Sequence, residues 1–483
     1  MITLEEHIYN TSINAPNKTA LIINQKSYNY KELFQNIWTI KLFLEKEYGI
    51  VKGDSLILFA NKNTGFIFSY FAIHLIGAKV IPVDEHITVD RLYYILQETV
   101  PKLIIGPPNK INNFNILCFD KLNDLEKLKT PNSINFQNIE DDSDIMFTTG
   151  TTGIPKGVIL TNKNIIESAK NINSFIGNNS LDTELLAMPI SHSFGLARLR
   201  CVFLAGGSLV LLASVVNIKR VFKIFDEYNI TGFSMVPSAW FYIKKMSGNK
   251  IAQYSNQLNY VELGSAYMSA EEKGELSEML PKTRLCMHYG LTEASRSTFL
   301  EFNSEKFFLS SVGKPSPNVS IKIFDEDGNE TLSGKEGEIC IKGNHVSKKY
   351  LNALKSDYFY GDFFRTGDIG LFNTEGYLIY KGRLNEIINV GGKKVSPIEV
   401  EDKIKEFDNE IDVVCVGISD KNGVMGEVIK AFIVNGKSAN IDLEELDLYL
   451  RNNLEKHKIP VEYELTTEIP KTSSGKIQRQ KLK

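Results

Sequence analysis

Along the first 140 residues the apolar positions alternate between two periods. Lys31 to Tyr48 repeats them at helical spacing, Ser55 to Ala60 is strand-like, and Thr64 to Gly77 is helical again. Lys79 to Val83 then reads as a short strand, Arg91 to Glu98 as a helix and Lys102 to Ile105 as a strand. Alternation of this kind predicts parallel sheet with helices on both faces, and it resumes from Thr183 to about Thr298. From Lys314 to Lys381 the texture changes. Short strands (Ile321 to Phe324, Glu338 to Ile341, Tyr377 to Tyr380) are parted by turns such as Asp327-Gly328, which predicts antiparallel sheet or a small barrel. After Arg383, Ser396-Pro-Ile-Glu399 reads as a helix start with a hydroxyl cap and a returning glutamate. Strands Ile411 to Ile418 and Glu427 to Val434 and a helix carrying Leu443, Leu446 and Leu450 complete a compact α+β module.

Two uncharged stretches have the look of membrane spans, Asn63 to Ala78 and Cys201 to Ile218. The first is short for a bilayer and ends at Gly77; the second breaks at Gly206-Gly207 into a helix and a buried strand, Ser208 to Val216. Both read as core, so no membrane span is expected.

The 483 residues are 43% hydrophobic and 23% charged, with a formal net charge of −3. That excludes a disordered chain and argues against non-specific nucleic-acid binding, although Lys471 to Lys483 is locally basic. Five cysteines without metal or redox spacing, and a start lacking a secretory pattern, predict a cytoplasmic protein with reduced thiols.

The strongest local signal is Ile145-Met-Phe-Thr148-Thr149-Gly150-Thr151-Thr152-Gly153-Ile-Pro-Lys156-Gly157. An apolar strand runs into glycines whose N–H groups can converge on phosphate oxygens; threonine hydroxyls add donors and lysine a counter-charge. The spacing does not fit the Walker pattern, because Pro155 stands where Gly-Lys would be needed.

This loop resembles the signature of the AMP-forming adenylate-forming superfamily, which includes acyl-CoA synthetases, adenylation domains and firefly-type luciferases. Five further motifs follow in the family's order: Tyr289-Gly290-Leu-Thr292-Glu293, Arg365-Thr-Gly-Asp368, Gly382-Arg383, Gly391-Gly392 and Pro470-Lys-Thr-Ser-Ser-Gly-Lys476. The resemblance covers nearly the whole chain. It implies a large N-terminal domain, residues 1–384, of two stacked αβα-type sheet subdomains plus a small β-barrel-like subdomain. A mobile α+β lid, residues 385–483, would follow.

By the same resemblance Lys476 bridges carboxylate and α-phosphate, Thr292 donates to the α-phosphate and Glu293 holds Mg²⁺. Tyr289 offers a face to adenine, and Gly264-Ser265-Ala266 lets backbone approach the base. Asp368 takes the ribose hydroxyls, and Arg383 the ribose or phosphate. Met287 departs from the family, which often places an amide side chain there to face adenine. Asn385 would be the hinge, and Gly391-Gly392 would line a thiol tunnel. Pro189-Ile-Ser-His192-Ser193-Phe194-Gly195 resembles the segment whose histidine gates the acyl tunnel, and Ser193, Phe194, Arg198 and His288 would line the acyl pocket. Gly195 replaces the aspartate that amino-acid-activating members use, which argues against a free α-amino acid. Arg198, four residues after Phe194, would suit a polar or anionic acyl tail.

The implied activity is ATP-dependent conversion of a small carboxylic acid to an acyl-adenylate with release of pyrophosphate. Transfer to a thiol follows, that of CoA or of the phosphopantetheine of a separate carrier protein, since no carrier domain follows Lys476. Competing readings are carrier loading alone, luciferase-type oxidation, phosphotransfer giving ADP, nucleotide binding without turnover, and a nucleic-acid arm in the basic tail.

Overall fold

In the computed structural model, residues 1–107, 116–148, 155–352, 358–408, 410–421, 425–435, 441–472 and 476–483 are described. Two large sheets dominate. A seven-stranded sheet has at its centre the parallel strands Ser55–Ala60, Lys79–Asp84 and Asp142–Thr148, and Lys156–Thr161 returns antiparallel to the last of these. A nine-stranded sheet carries Ser208–Leu211, Thr183–Leu186, Gly232–Met235, Tyr260–Leu263 and Arg284–Tyr289 in parallel, closed by antiparallel edge strands.

One apolar cluster draws on both sheets: Ile57 and Val80 from the first, Leu186 and Leu209 from the second, with Phe71 and Phe203 from helices Thr64–Ile76 and Ser193–Ala205. Shared burial through helices is what stacks the two layers. Helix Thr64–Ile76 is buried along nearly its whole length, capped by Asn63, whose Oδ1 accepts from Phe66 N at 2.9 Å, and stopped by Gly77 at φ +86°. Among the described residues no helix is long and apolar enough to cross a membrane. Cys201–Ile218 splits as its glycines predict, but the strand ends at Leu211 rather than Val216.

The region after Lys314 is a five-stranded antiparallel sheet of Ser320–Phe324, Gly337–Lys342, Phe359–Tyr360, Phe363–Phe372 and Leu378–Arg383. Beyond Arg383 come the hairpin Ile388–Val390/Lys393–Val395, helix Pro397–Phe407, strands Asp412–Ser419, Glu427–Val434 and Glu462–Leu465, and helix Leu443–Asn453. These bury a core of their own around Val400, Ile404, Ile429 and Leu446. Ser396 caps its helix as expected, but Glu399 does not return to it; the Glu399 carboxylate accepts from Lys458 Nζ at 2.7 Å.

Candidate active site

The hydroxyl-glycine loop joins Asp142–Thr148 to Lys156–Thr161, with Thr148 opposite Lys156 in register. Thr149, Gly150, Thr151, Thr152 and Gly153 lie outside the described residues. Lys156 Nζ sits 4.9 Å from the centroid of the Tyr358 ring, Tyr358 lies against Tyr350 at 4.5 Å, and Tyr350 donates its hydroxyl to Glu293 Oε1 at 2.8 Å. Three aromatic and ionic contacts thus carry the end of the loop to the Tyr289–Glu293 motif.

Strand Arg284–Tyr289 delivers Tyr289 to Asp368, which lies on strand Phe363–Phe372 in register with Arg383. The Tyr289 hydroxyl donates to Asp368 Oδ2 at 2.6 Å, and Arg383 Nε pairs with Asp368 Oδ1 at 2.9 Å. Arg383 Nη1 donates to Thr366 O at 3.1 Å. Burial raises the pKa of Asp368 against the pull of Arg383, Tyr289 and Lys476. Lys476 comes from the far end of the chain. It keeps solvent contact, yet the cleft walls crowd its ammonium and lower its pKa; Arg383 adds to this, and Asp368 and Glu293 oppose it. Lys476 N donates to Thr472 Oγ1 at 3.1 Å, and Thr472 N to Lys476 O at 2.8 Å, closing the loop that presents it.

Gly264 follows strand Tyr260–Leu263, and a Cβ there would lie 2.1 Å from the His288 ring; the glycine gives His288 its room. Ser265 holds a left-handed φ of +69°. After Ala266, Tyr267 donates its hydroxyl to Asp402 Oδ2 of helix Pro397–Phe407 at 2.7 Å, a direct bond between the two parts of the chain. At Gly290 a Cβ would lie 2.5 Å from Arg296 N, so the backbone doubles back on itself there. Met287 is buried with Leu263 in the core of the second sheet.

His192 is the N-cap residue of helix Ser193–Ala205. Burial lowers its pKa; Asp84 opposes this, while Lys476 and Arg91 add to it. Thr292 Oγ1 lies 3.4 Å from Ser193 Oγ, and Phe194 meets the His288 ring edge-on at 4.6 Å. Five predicted residues (His192, Ser193, Phe194, His288 and Thr292) therefore converge.

Arg198 does not join them as a free cation, and its expected role is corrected here. Its guanidinium is fully buried against Glu184 (Nε to Oε1, 2.9 Å), with Glu262 Oε2 3.3 Å from Nη1 and Tyr260 and Asn178 as further partners. Helical spacing put Arg198 on the face of Phe194 correctly, but that face packs onto the sheet, where two carboxylates consume its charge. Sequence reasoning missed Glu262 and Arg296. Glu262 is fully buried, held well below the usual carboxylate range by Arg296, Arg198 and His288 despite desolvation. The signal was present as one ionisable residue inside the apolar run Tyr260-Val-Glu-Leu263.

Asn385 is exposed and has no left-handed φ, so its tolerance of unusual angles is not used here. Gly391 and Gly392, at φ +60° and +83°, form the two-residue turn of hairpin Ile388–Val390/Lys393–Val395, a turn that demands both positive angles. The basic tail is docked rather than splayed. Arg479 is buried against Glu401, Glu386 and Cys415 O, and Lys471 pairs with Asp412 at 2.8 Å. That leaves little of it to act as a nucleic-acid arm.

Residues 10–351 match the model of the AMP-binding enzyme family, and residues 399–476 match that of the AMP-binding enzyme C-terminal domain. The chain belongs to the AMP-binding enzyme family. It is 30% identical to a 2-succinylbenzoate–CoA ligase of Staphylococcus epidermidis over 97% of this chain and 95% of that protein. With a long-chain-fatty-acid–CoA ligase of Bacillus subtilis it shares 28% identity over 99% and 94%. ATP-bound MatB from Rhodopseudomonas palustris has the same fold, with a TM-score of 0.92 at 23% identity, covering 99% of this chain and 98% of that one. As an AMP-binding enzyme this protein is expected to handle Mg²⁺ with its nucleotide. Among the described residues no cluster of three or more His, Cys, Asp or Glu side chains could hold a metal ion. The Glu293 carboxylate, held by the Tyr350 hydroxyl at 2.8 Å, is a hard oxygen donor of the kind that suits Mg²⁺, which takes few protein ligands and completes its shell with water and phosphate.

Proposed function

We propose that this AMP-binding enzyme is an acid–CoA ligase working in two half-reactions. A carboxylate attacks the α-phosphorus of ATP, giving an acyl-adenylate and pyrophosphate; the thiol of CoA then displaces AMP and forms the thioester. The observation that carries this reading is Lys476, an ammonium brought from the C-terminal module into a cleft that already holds Asp368, Arg383 and Glu293. A carboxylate and a phosphate repel, and a cation aimed where they meet stabilises the charge that develops between them.

In this reading Thr292 donates to the α-phosphate, and the loop of Thr148, Thr149, Gly150, Thr151, Thr152, Gly153 and Lys156 embraces the outer phosphates. Tyr289, Gly290 and the Gly264–Ala266 segment border adenine, and Asp368 with Arg383 takes the ribose. Glu293 holds Mg²⁺, which when bound neutralises and orients the phosphates. His192, Ser193, Phe194 and His288 border the acid. Residues 1–384 act as one unit and residues 385–483 as a lid that turns at Asn385 to bring Gly391-Gly392 to the thiol. Cysteines 118, 201, 286, 340 and 415 are all free, which suits a reducing cytoplasm.

Pyrophosphate release over a panel of carboxylic acids, with and without CoA, tests the reading. Acid-dependent pyrophosphate and AMP, and a thioester only when CoA is present, are expected. ADP as product, or pyrophosphate without any thioester, would overturn it; in the latter case a separate carrier protein becomes the acceptor to try.

A further inference from the structure

Resting on the reading above, the acid lies where the first turn of helix Ser193–Ala205 meets Thr292, and the groups that wall this place restrict what it admits. Beneath Phe194 lie Glu262, Arg296 and His288, with Arg198 and Glu184 a layer deeper. None of the five exposes more than 8% of its surface. Arg296 ties the layers together. Its Nε donates to Glu262 Oε1 at 3.1 Å, its Nη2 to Phe194 O at 3.2 Å, and its guanidinium lies 4.6 Å from the Phe194 ring centroid. It does so from a left-handed φ of +55°, uncommon for a side chain of this kind and the sort of strain that collects at functional sites.

The cluster is balanced. Two carboxylates face two guanidiniums, and His288, whose proton affinity is lowered by burial and by Arg296, adds no charge. A second carboxylate on the acid would enter with no cation left for it. These groups spend their polar contacts on one another: His288 Nδ1 lies 2.7 Å from Glu262 Oε1, and Arg198 Nη1 lies 3.3 Å from Glu262 Oε2.

The other side of the same helical turn is less completely paired. A small cavity there is bordered by Ser193, Thr292, Ser295, Arg200, Ser168 and His345. Ser168 Oγ and His345 Nδ1 are buried and unpartnered. Ser297 Oγ donates to Ala294 O at 3.0 Å, so its 3.0 Å contact with His345 Nε2 is a donation from the imidazole. That leaves Nδ1 a bare acceptor. Arg200 there is paired with Asp144, so this wall offers a donor and an acceptor without net charge, and covering them with methylenes would leave them unsatisfied.

We infer that the acyl group is short and carries a neutral hydroxyl, received by Ser168 and His345 in that cavity. Such a group donates and accepts at once and disturbs no ion pair.

The test compares pyrophosphate release with butanoate, 2- and 3-hydroxybutanoate, succinate and octanoate. The better hydroxy acid should exceed butanoate, succinate and octanoate by at least about tenfold in kcat/KM, the effect of satisfying one buried polar group. Equality with butanoate, or succinate or octanoate as best substrate, overturns the inference while leaving the ligase reading intact. Silence with every acid overturns the ligase reading instead. The pocket is then read by thermal shift with AMP present, where a larger upshift with a hydroxy acid than with butanoate supports the inference and equal shifts overturn it. Glu262→Gln, which keeps the shape but leaves a surplus cation, should raise succinate relative to the hydroxy acid. Should that variant fail to fold, the ranking in the unmodified enzyme decides.

Discussion

Replacing Tyr267 by phenylalanine should slow one half-reaction and spare the other. The Tyr267 hydroxyl reaches Asp402 Oδ2 at 2.7 Å across the two modules. A second bridge, Lys394 to Glu326, joins side chains 59% and 81% exposed and contributes little. A hydrogen bond to a carboxylate is worth about 1.5–3 kcal/mol, and solvent weakens it. With Tyr267 40% exposed, about 1 kcal/mol is a reasonable share, which is about a fivefold shift in the docked population. Acid-dependent pyrophosphate release by Tyr267→Phe should fall by that factor, while thioester formation from a presynthesised acyl-adenylate stays within about twofold. Equal losses in both half-reactions would refute the claim that this bond holds the adenylating arrangement.

Lys476→Ala should cut pyrophosphate release by about 10²–10³-fold, the usual effect of removing one electrostatic donor, with ATP binding retained by calorimetry; undiminished release would remove Lys476 from the chemistry. Arg198→Leu should lower stability by about 3–5 kcal/mol, because Glu184 and Glu262 would be left buried without their shared cation. A melting temperature unchanged from the parent would contradict that. A pH dependence follows from Asp402, whose pKa burial pushes up to about 6, with Glu401 and Glu272 adding and Tyr267 and Lys405 opposing. The docked state holds the Asp402 proton more tightly than the undocked one. Docking is therefore strongest near pH 4, weakens as pH rises to about 6, and is level above that. The closed fraction read by small-angle scattering at pH 4.5 and 7.5 should fall with pH, and Asp402→Asn should flatten the slope.

Local periodicity sufficed for elements whose faces see one environment each. Helix Thr64–Ile76 and strand Ser55–Ala60 are bounded by Asn63, Gly77 and Asp54 close to where their patterns begin and end. Strand Phe363–Phe372 was harder to see, because Gly367, Asp368 and Gly370 break its alternation; those residues answer to pairing irregularities and to Arg383 rather than to a core. The motif residues Tyr289, Asp368, Arg383 and Lys476 were legible because each sits in a dense local pattern. Glu184, Arg198, Glu262 and Arg296 were not. Their meaning depends on which strands become neighbours, and 112 positions separate the first from the last. Arg479 is a similar case: the same basic residue reads as a solvated tail in sequence and as the buried partner of Glu401 in the fold.

The cleft and the buried cluster use the same ingredients for opposite ends, and geometry decides which. In both, two carboxylates meet two cations. Around Glu262 the distances are short, the groups are enclosed and the charge is spent on holding helix Ser193–Ala205 to the sheet. Around Asp368, Arg383 is the only charged group in contact among the described residues; Lys476 and Glu293 act on it through space. Both Asp368 oxygens are engaged, one by Tyr289 and one by Arg383, yet a carboxylate offers about four acceptor sites, so on the proposed reading two ribose hydroxyls would add without displacing either. Tyr289 and Arg383 hold the carboxylate in place, which on that reading would spare it reorganisation when a sugar binds. Lys476 is different in kind. Among the described residues its ammonium makes no hydrogen bond or ion pair, and its proton is held less tightly because the cleft desolvates it. An unpaired, crowded cation is at a disadvantage until anions reach it, so in the proposed reading the arrival of a phosphate and a carboxylate would favour the arrangement that brings Lys476 to them.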